Sequence, residues 1–316
     1  MKILSFGFLI LLSTVAFLIL AERYWFFPRF QTENMKDGLM VELGEGRRVY
    51  ANDSGAAERG HTFLLETGIG GVSQQARPVF NRLSKYGRVI SFDRFTYGLS
   101  EAPVDDLSIE QAQKDVNKVL EHFGVSDSFV YIGYSMGAMY AQAFQERYPD
   151  RVKGLILLDP YIPNPKRKFP YKNYRRRSLS KAIQWQWAQI LGHLGYYRQR
   201  YRLAKLSKGI QGPWEFMKSL GHLRTSTQER RSFNRLSHNM TWKIHREDQP
   251  VLLITATQSK HHKSYRIKRH RAFAEQSKKG GHLVYTEFKH GDFLLEENAD
   301  KVVGSIVDYL TRNVSL

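Results

Sequence analysis

The chain has 316 residues, 42% of them hydrophobic and 25% charged, with 24 glycines, 10 prolines and a net charge of +18. That is enough apolar material for a sizeable core, and it excludes a disordered or fibrous chain. The absence of cysteine excludes disulfide scaffolds, thiolate nucleophiles, cysteine-ligated zinc and iron–sulfur chemistry.

In chain order, the first feature is a nearly continuous apolar run from Ile3 to Ala21, with Lys2 before it and no further charge until Glu22. At the helical rise such a run spans roughly 28 Å, close to the hydrocarbon thickness of a bilayer. A cleaved signal peptide has a shorter apolar core and small residues before its cleavage site; a cut after Ala21 would put Ile19 where a small residue belongs. The Tyr24-Trp25-Phe26-Phe27 cluster suits the aromatic belt at a membrane interface. Residues 1–23 are therefore expected to form a single-pass membrane anchor, with a signal peptide as the alternative. Residues 24–37 read as a linker, and the remainder of the chain is expected on the extracytoplasmic side.

From Gly38 onward, strand-like and helical patterns alternate. Residues 39–43 and 48–51 read as a hairpin around the glycines at 44 and 46. Residues 61–66, 88–93, 129–133, 155–159, 251–255 and 283–288 read as buried or half-buried strands bounded by turn residues. The clearest helix covers 109–123, with Ile109, Ala112, Val116, Val119, Leu120 and Phe123 on one face. Ser108 and Gln111 form a capping box at its start, and Gly124 is its stop signal. A last helix, 299–311, turns Val302, Val303, Ile306, Val307 and Leu310 inward. Repeated alternation of this kind predicts an α/β fold: a mostly parallel central sheet with helices on both faces.

The alternation is interrupted once. Between residues 161 and 245 there are 19 Lys and Arg but only two acids, Glu215 and Glu229, so this stretch holds +17 of the net charge. It also holds four of the five tryptophans, Trp185, Trp187, Trp214 and Trp242. So sharp a shift marks 161–249 as an inserted cap between core segments 38–160 and 250–316. Parts of it, 179–191 and 214–223, look helical; 163–170 and the arginines at 175–177 look like solvated connections. Interleaved cations and aromatics suit a membrane surface, although basic residues on solvated helix faces would give the same composition. No other feature supports a nucleic-acid partner.

The most informative segment is Gly133-Tyr134-Ser135-Met136-Gly137. An apolar strand runs into it, and a helix rich in small residues follows. This is G-x-S-x-G in the context it requires. Ser135 must occupy a strained turn to project its hydroxyl above the sheet, and a side chain at 133 or 137 would strike the neighbouring strand and helix. The helix N-terminus directs its positive dipole end at the same point.

With these residues the chain resembles the α/β-hydrolase fold superfamily, the broad group of esterases, lipases and peptidases, over residues 38–160 and 250–313. Thr67-Gly68-Ile69-Gly70-Gly71 stands where that family has its oxyanion loop, with Thr67 in place of the usual histidine. The resemblance implies that the backbone N–H groups of Ile69 and Met136 form an oxyanion hole. Asp93-Arg94-Phe95-Thr96-Tyr97-Gly98-Leu99-Ser100 resembles a family loop that is mainly structural. His290 matches the catalytic histidine, which would take the Ser135 proton and return it to the leaving group. An insertion after the strand ending at Asp159 is where the family carries its lids. No metal or cofactor is implied.

The acid is the departure. The family's usual position follows the strand at 251–255, but residues 256–262 contain no carboxylate. Asp159 is the best substitute, because some members carry the acid after that earlier strand and the order Ser, Asp, His is kept. Glu287 is a distant second, only three residues from His290; a weakened Ser–His dyad would remain without either. The resemblance thus implies a membrane-anchored serine hydrolase acting on a carboxylic ester or a related small or lipid-like acyl compound. The alternative is a non-catalytic binding protein on a degenerate hydrolase fold.

Overall fold

The computed structural model describes residues 2–21, 24–25, 38–54, 60–94, 96–101, 108–162, 225–226, 228–229, 240, 242–258 and 263–314. The cap helices expected at 179–191 and 214–223, the connections at 163–170 and 175–177, and residues 26–37 of the expected linker lie outside the described residues.

Lys2–Ala21 forms one unbroken helix, α1, and Ile10, Leu12, Phe17, Leu18 and Leu20 are exposed on it. Among the described residues, no helix is long and apolar enough to cross a membrane, so the fold does not carry the expectation of a spanning segment at 1–23.

Among the described residues, eight strands make one sheet: β1 Leu39–Gly44, β2 Arg47–Ser54, β3 Thr62–Glu66, β4 Arg88–Phe92, β5 Phe129–Tyr134, β6 Val152–Leu158, β7 Val251–Ala256 and β8 Gly280–Tyr285. Their order across the sheet is β1-β2-β4-β3-β5-β6-β7-β8. β2 runs antiparallel to β1 and β4, and the remaining pairings are parallel. The β1–β2 turn is tight because Gly44, Glu45 and Gly46 all have positive φ.

Helices α2 Arg77–Leu83, α3 Ile109–His122, α4 Gly137–Arg147, α5 Lys263–Ala274 and α6 Ala299–Asn313 cover the sheet. The period-two alternation of the strands sorts the core into two layers. Leu64, Ile90, Tyr131, Leu155 and Leu253 pack with Val116 and Leu120 of α3, Phe144 of α4 and Phe273 of α5. Leu65, Val89, Ile132, Ile156 and Leu252 pack on the opposite face with Val79 and Phe80 of α2 and Val302, Ile306 and Leu310 of α6. The apolar stripe read on α3 is the buried one, and Ser108 Oγ accepts from the N–H of Gln111 at its start.

One strand is displaced from its expected register. β8 is Gly280–Tyr285 rather than 283–288, because its parallel pairing with β7 begins at Val251 and Gly280. The glycines belong to the strand for a packing reason: a Cβ at 281 would lie 2.9 Å from the Tyr309 ring of α6.

Candidate active site

β5 ends at Tyr134, and Ser135 turns the chain into α4 with φ 55°. That left-handed backbone costs a non-glycine residue about 1–2 kcal/mol, so the surroundings must enforce it. The Ser135 N–H donates to Leu158 O at 2.9 Å. Both flanking glycines are required. A Cβ at 133 would lie 2.6 Å from the Ala138 Cα, and one at 137 would lie 2.5 Å from the Glu66 carbonyl oxygen. The turn is wedged between β3 and α4, and the serine is the residue left facing outward.

His290 follows β8 and begins a short 3-10 turn, His290–Leu294. Its Nε2 lies 2.8 Å from Ser135 Oγ, and its Nδ1 lies 2.6 Å from Asp159 Oδ2. An ionised carboxylate only accepts, so the Nδ1–H donates to Asp159 and the bare Nε2 accepts from the serine hydroxyl. The imidazole is fixed from a second side by Tyr134. The two rings stack at 5.1 Å, and the Tyr134 hydroxyl donates to the His290 carbonyl at 2.7 Å.

Asp159 lies one residue beyond β6 with φ 44° and is buried. Its N–H donates to Ile254 O at 2.7 Å, and its Oδ1 accepts from Ala256 N–H at 3.1 Å and from the Arg266 guanidinium of α5. Burial pushes the carboxyl up. The hydrogen bond from His290 and the Arg266 charge outweigh it and hold Asp159 below the usual carboxylate range. Deeper, Thr255 Oγ1 bridges His270 Nδ1 at 2.7 Å and His282 Nε2 at 2.8 Å. Burial brings His270 down to about 3 and His282 down to about 4, so both are neutral.

The loop after β3 passes beside the serine, where a Cβ at Gly68 would lie 3.0 Å from Ser135 Cβ. Ile69 follows at this lip, and Met136 opens α4 immediately after the serine. The loop carbonyls are held by Arg94, whose Nη1 donates to Thr67 O at 2.9 Å and Nη2 to Gly68 O at 3.1 Å. Asp93 braces the adjoining turns, accepting from the N–H groups of Ser73 and Leu99.

The structure thus brings Ser135, His290 and Asp159 into one hydrogen-bonded line, with the Ile69 and Met136 backbone beside it. Glu287, the weaker candidate acid, instead pairs with Lys301 at the surface. Sequence reading missed Arg266, which sits in a basic helix without a distinguishing pattern. It also missed Glu229, although an acid in so basic a stretch was a usable signal.

A model of the alpha/beta hydrolase fold family matches residues 61–285. An uncharacterized protein of Bacillus subtilis, YbdG, is 21% identical over 161 residues, covering 51% of this chain and 47% of that one. The chain spans less than half the length of the curated relatives it matches. Among solved structures, a putative lipase of Acinetobacter baumannii superposes with a TM-score of 0.66 at 16% identity, covering 92% of this chain and 97% of its own. A membrane phospholipase A superposes with a TM-score of 0.63 at 18% identity, covering 99% and 100%. At such identities the superpositions show the fold alone.

Proposed function

The chain belongs to the alpha/beta hydrolase fold family, and from that premise we propose that it is a serine hydrolase that cleaves a carboxylic ester through an acyl-enzyme. Ser135 is the nucleophile, His290 the general base and then acid, and Asp159 the residue that orients the imidazole. The observation that carries this reading is the unbroken line from Ser135 Oγ through His290 to the buried Asp159, with bonds of 2.8 and 2.6 Å.

In this mechanism Nε2 of His290 takes the hydroxyl proton as Ser135 Oγ bonds to the substrate carbonyl carbon. The N–H groups of Ile69 and Met136 stabilise the oxyanion, the task for which donors in a water-poor site are most effective. His290 then protonates the departing alkoxide and the acyl group stays on Ser135. Water, deprotonated by the same nitrogen, attacks the acyl carbon, and Ser135 recovers its proton as the acid departs. Asp159 stays ionised throughout and stabilises the imidazolium.

The substrate class is a lipid-like or small acyl compound met at a membrane surface. The apolar run from Ile3 to Ala21, the exposed Tyr24 and Trp25 and the cations and tryptophans of 161–249 support this part of the reading. Labelling with a fluorophosphonate probe tests the nucleophile. Wild type is expected to label and Ser135→Ala is not; an unlabelled wild type would favour a binding protein on a hydrolase fold.

A further inference from the structure

Glu229 belongs to the inserted basic stretch, yet it is buried against the core beside Arg94. We infer that Glu229 is a positioning residue: through Arg94 it fixes the loop that carries the Ile69 oxyanion donor. This inference rests on the assignment of Ser135 and Ile69 made above.

A guanidinium has five N–H donors in a rigid plane, and at Arg94 all five have acceptors. Nε and Nη2 donate to Glu229 Oε1 at 3.2 and 3.1 Å. Nη1 donates to Glu66 Oε1 and to Thr67 O, both at 2.9 Å, and the second Nη2 hydrogen goes to Gly68 O at 3.1 Å. Thr67 and Gly68 immediately precede Ile69, so the guanidinium plane sets where that N–H points.

Two carboxylates hold the plane from opposite sides. Glu66 is built into β3, and its second oxygen accepts from the Tyr131 hydroxyl. Glu229 comes from the inserted stretch and accepts from the hydroxyls of Tyr140, at 2.8 Å, and Tyr97. The Arg94 guanidinium also stacks over the Tyr140 ring at 4.4 Å. Arg94, Glu66, Glu229, Tyr97 and Tyr140 are all buried, and a neutral water in place of the carboxylate would not restore its charge. Without Glu229, Nε and one Nη2 hydrogen lose their partner, and Glu66, the other carboxylate bonded to the guanidinium among the described residues, draws the cation towards β3. The loop carbonyls bonded to it move as well. The insertion therefore contributes to the oxyanion site without touching the reacting atoms, and any displacement of Glu229 displaces the donor.

The test compares wild type, Glu229→Ala, Glu229→Gln and Tyr140→Phe in the full chain, using a nitrophenyl acyl ester and an acyl-analogue boronic acid that requires the oxyanion donors. Circular dichroism and thermal melting report the fold. Losing one oxyanion donor outright costs about 100- to 1000-fold in kcat, so a misplaced donor in Glu229→Ala is expected to lower kcat by about 10- to 100-fold. KM should change little, and boronate affinity should fall in parallel with kcat/KM. Glu229→Gln, which keeps an acceptor oxygen but not the charge, is expected to fall between. Tyr140→Phe, which removes one bond to Glu229 and no charge, decides the matter if both Glu229 variants fail to fold, through the same parallel loss on a smaller scale. Folded variants with wild-type kcat and boronate affinity would overturn the inference while leaving the hydrolase intact. An inactive, unlabelled wild type would instead overturn the reading of Ser135.

Discussion

Asp159 divides its carboxylate between two cationic or potentially cationic side chains: Oδ2 accepts from His290, while Oδ1 accepts from the Arg266 guanidinium and the Ala256 N–H. In the proposed mechanism a fixed cation thus shares the charge that stabilises a transient one. Around this pair stand Arg266 and His270 from α5 and Tyr134 from β5, with Asp292 following His290 on the 3-10 turn. Arg266 helps to hold Asp159 below the usual carboxylate range. A carboxylate lowered in this way stabilises the fold above its unfolded-state pKa, and that contribution is lost as pH falls through the folded-state value. The urea midpoint of wild type is therefore expected to fall more steeply on acidification than that of Arg266→Gln, and equal slopes would reduce Arg266 to a structural contact.

The two candidate acids separate cleanly by substitution. Asp159→Asn removes the orienting charge behind His290 and is expected to lower kcat about 10⁴-fold. Glu287→Gln breaks only a surface pair with Lys301 and is expected to keep wild-type turnover. Loss of activity in the second variant but not the first would reverse the assignment.

Strain at Ser135, the proposed nucleophile, predicts a gain in stability when its side chain is removed. Ser135 holds φ 55°, which glycine adopts without penalty. Ser135→Gly is expected to raise unfolding stability by about 1 kcal/mol while abolishing turnover. Gly137→Ala should do the reverse, since its Cβ would meet the Glu66 carbonyl oxygen at 2.5 Å. Urea midpoints measure both, and a destabilised Ser135→Gly would show that the turn stores no strain.

His270 gives the fold a pH dependence with a definite sign. Burial lowers it from 6.5 to about 3, so the folded state holds it neutral while the unfolded chain takes up a proton near pH 6.5. Its contribution is complete above pH 6.5 and is lost progressively as pH falls towards 3. His282, lowered to about 4, acts in the same direction. The urea midpoint of wild type should fall more steeply between pH 7 and pH 4 than that of His270→Asn. Parallel slopes would mean that His270 does not titrate with unfolding.

Much of this molecule was legible in its residues. The parallel strands announce themselves through apolar runs bounded by turns, and α3 through a 3.6-residue stripe that the sheet then buries. The bend at Ser135 was legible because the strand, the glycines and the helix leave little freedom around it, and His290 is hydrogen-bonded to that serine. Asp159 required an inference, since its turn at the end of β6 looks like a structural Asp-Pro. Arg266 offered no signal and Glu229 only its isolation among cations: each acquires its role from a partner 107 or 135 residues away, across contacts that no local period records. The register of β8 was missed because Gly280 and Gly281 resemble a turn, and only the close approach of the Ala274 carbonyl to the first and of the Tyr309 ring to the second explains them as strand.

Pre-steady-state acylation with a nitrophenyl ester, followed by peptide mass mapping of the acid-quenched enzyme, tests the central claim most directly. A burst of one equivalent of nitrophenol is predicted, with the acyl mass on the peptide containing Ser135 and neither burst nor adduct in Ser135→Ala. An acyl group found on another residue, or a burst that survives Ser135→Ala, would contradict it.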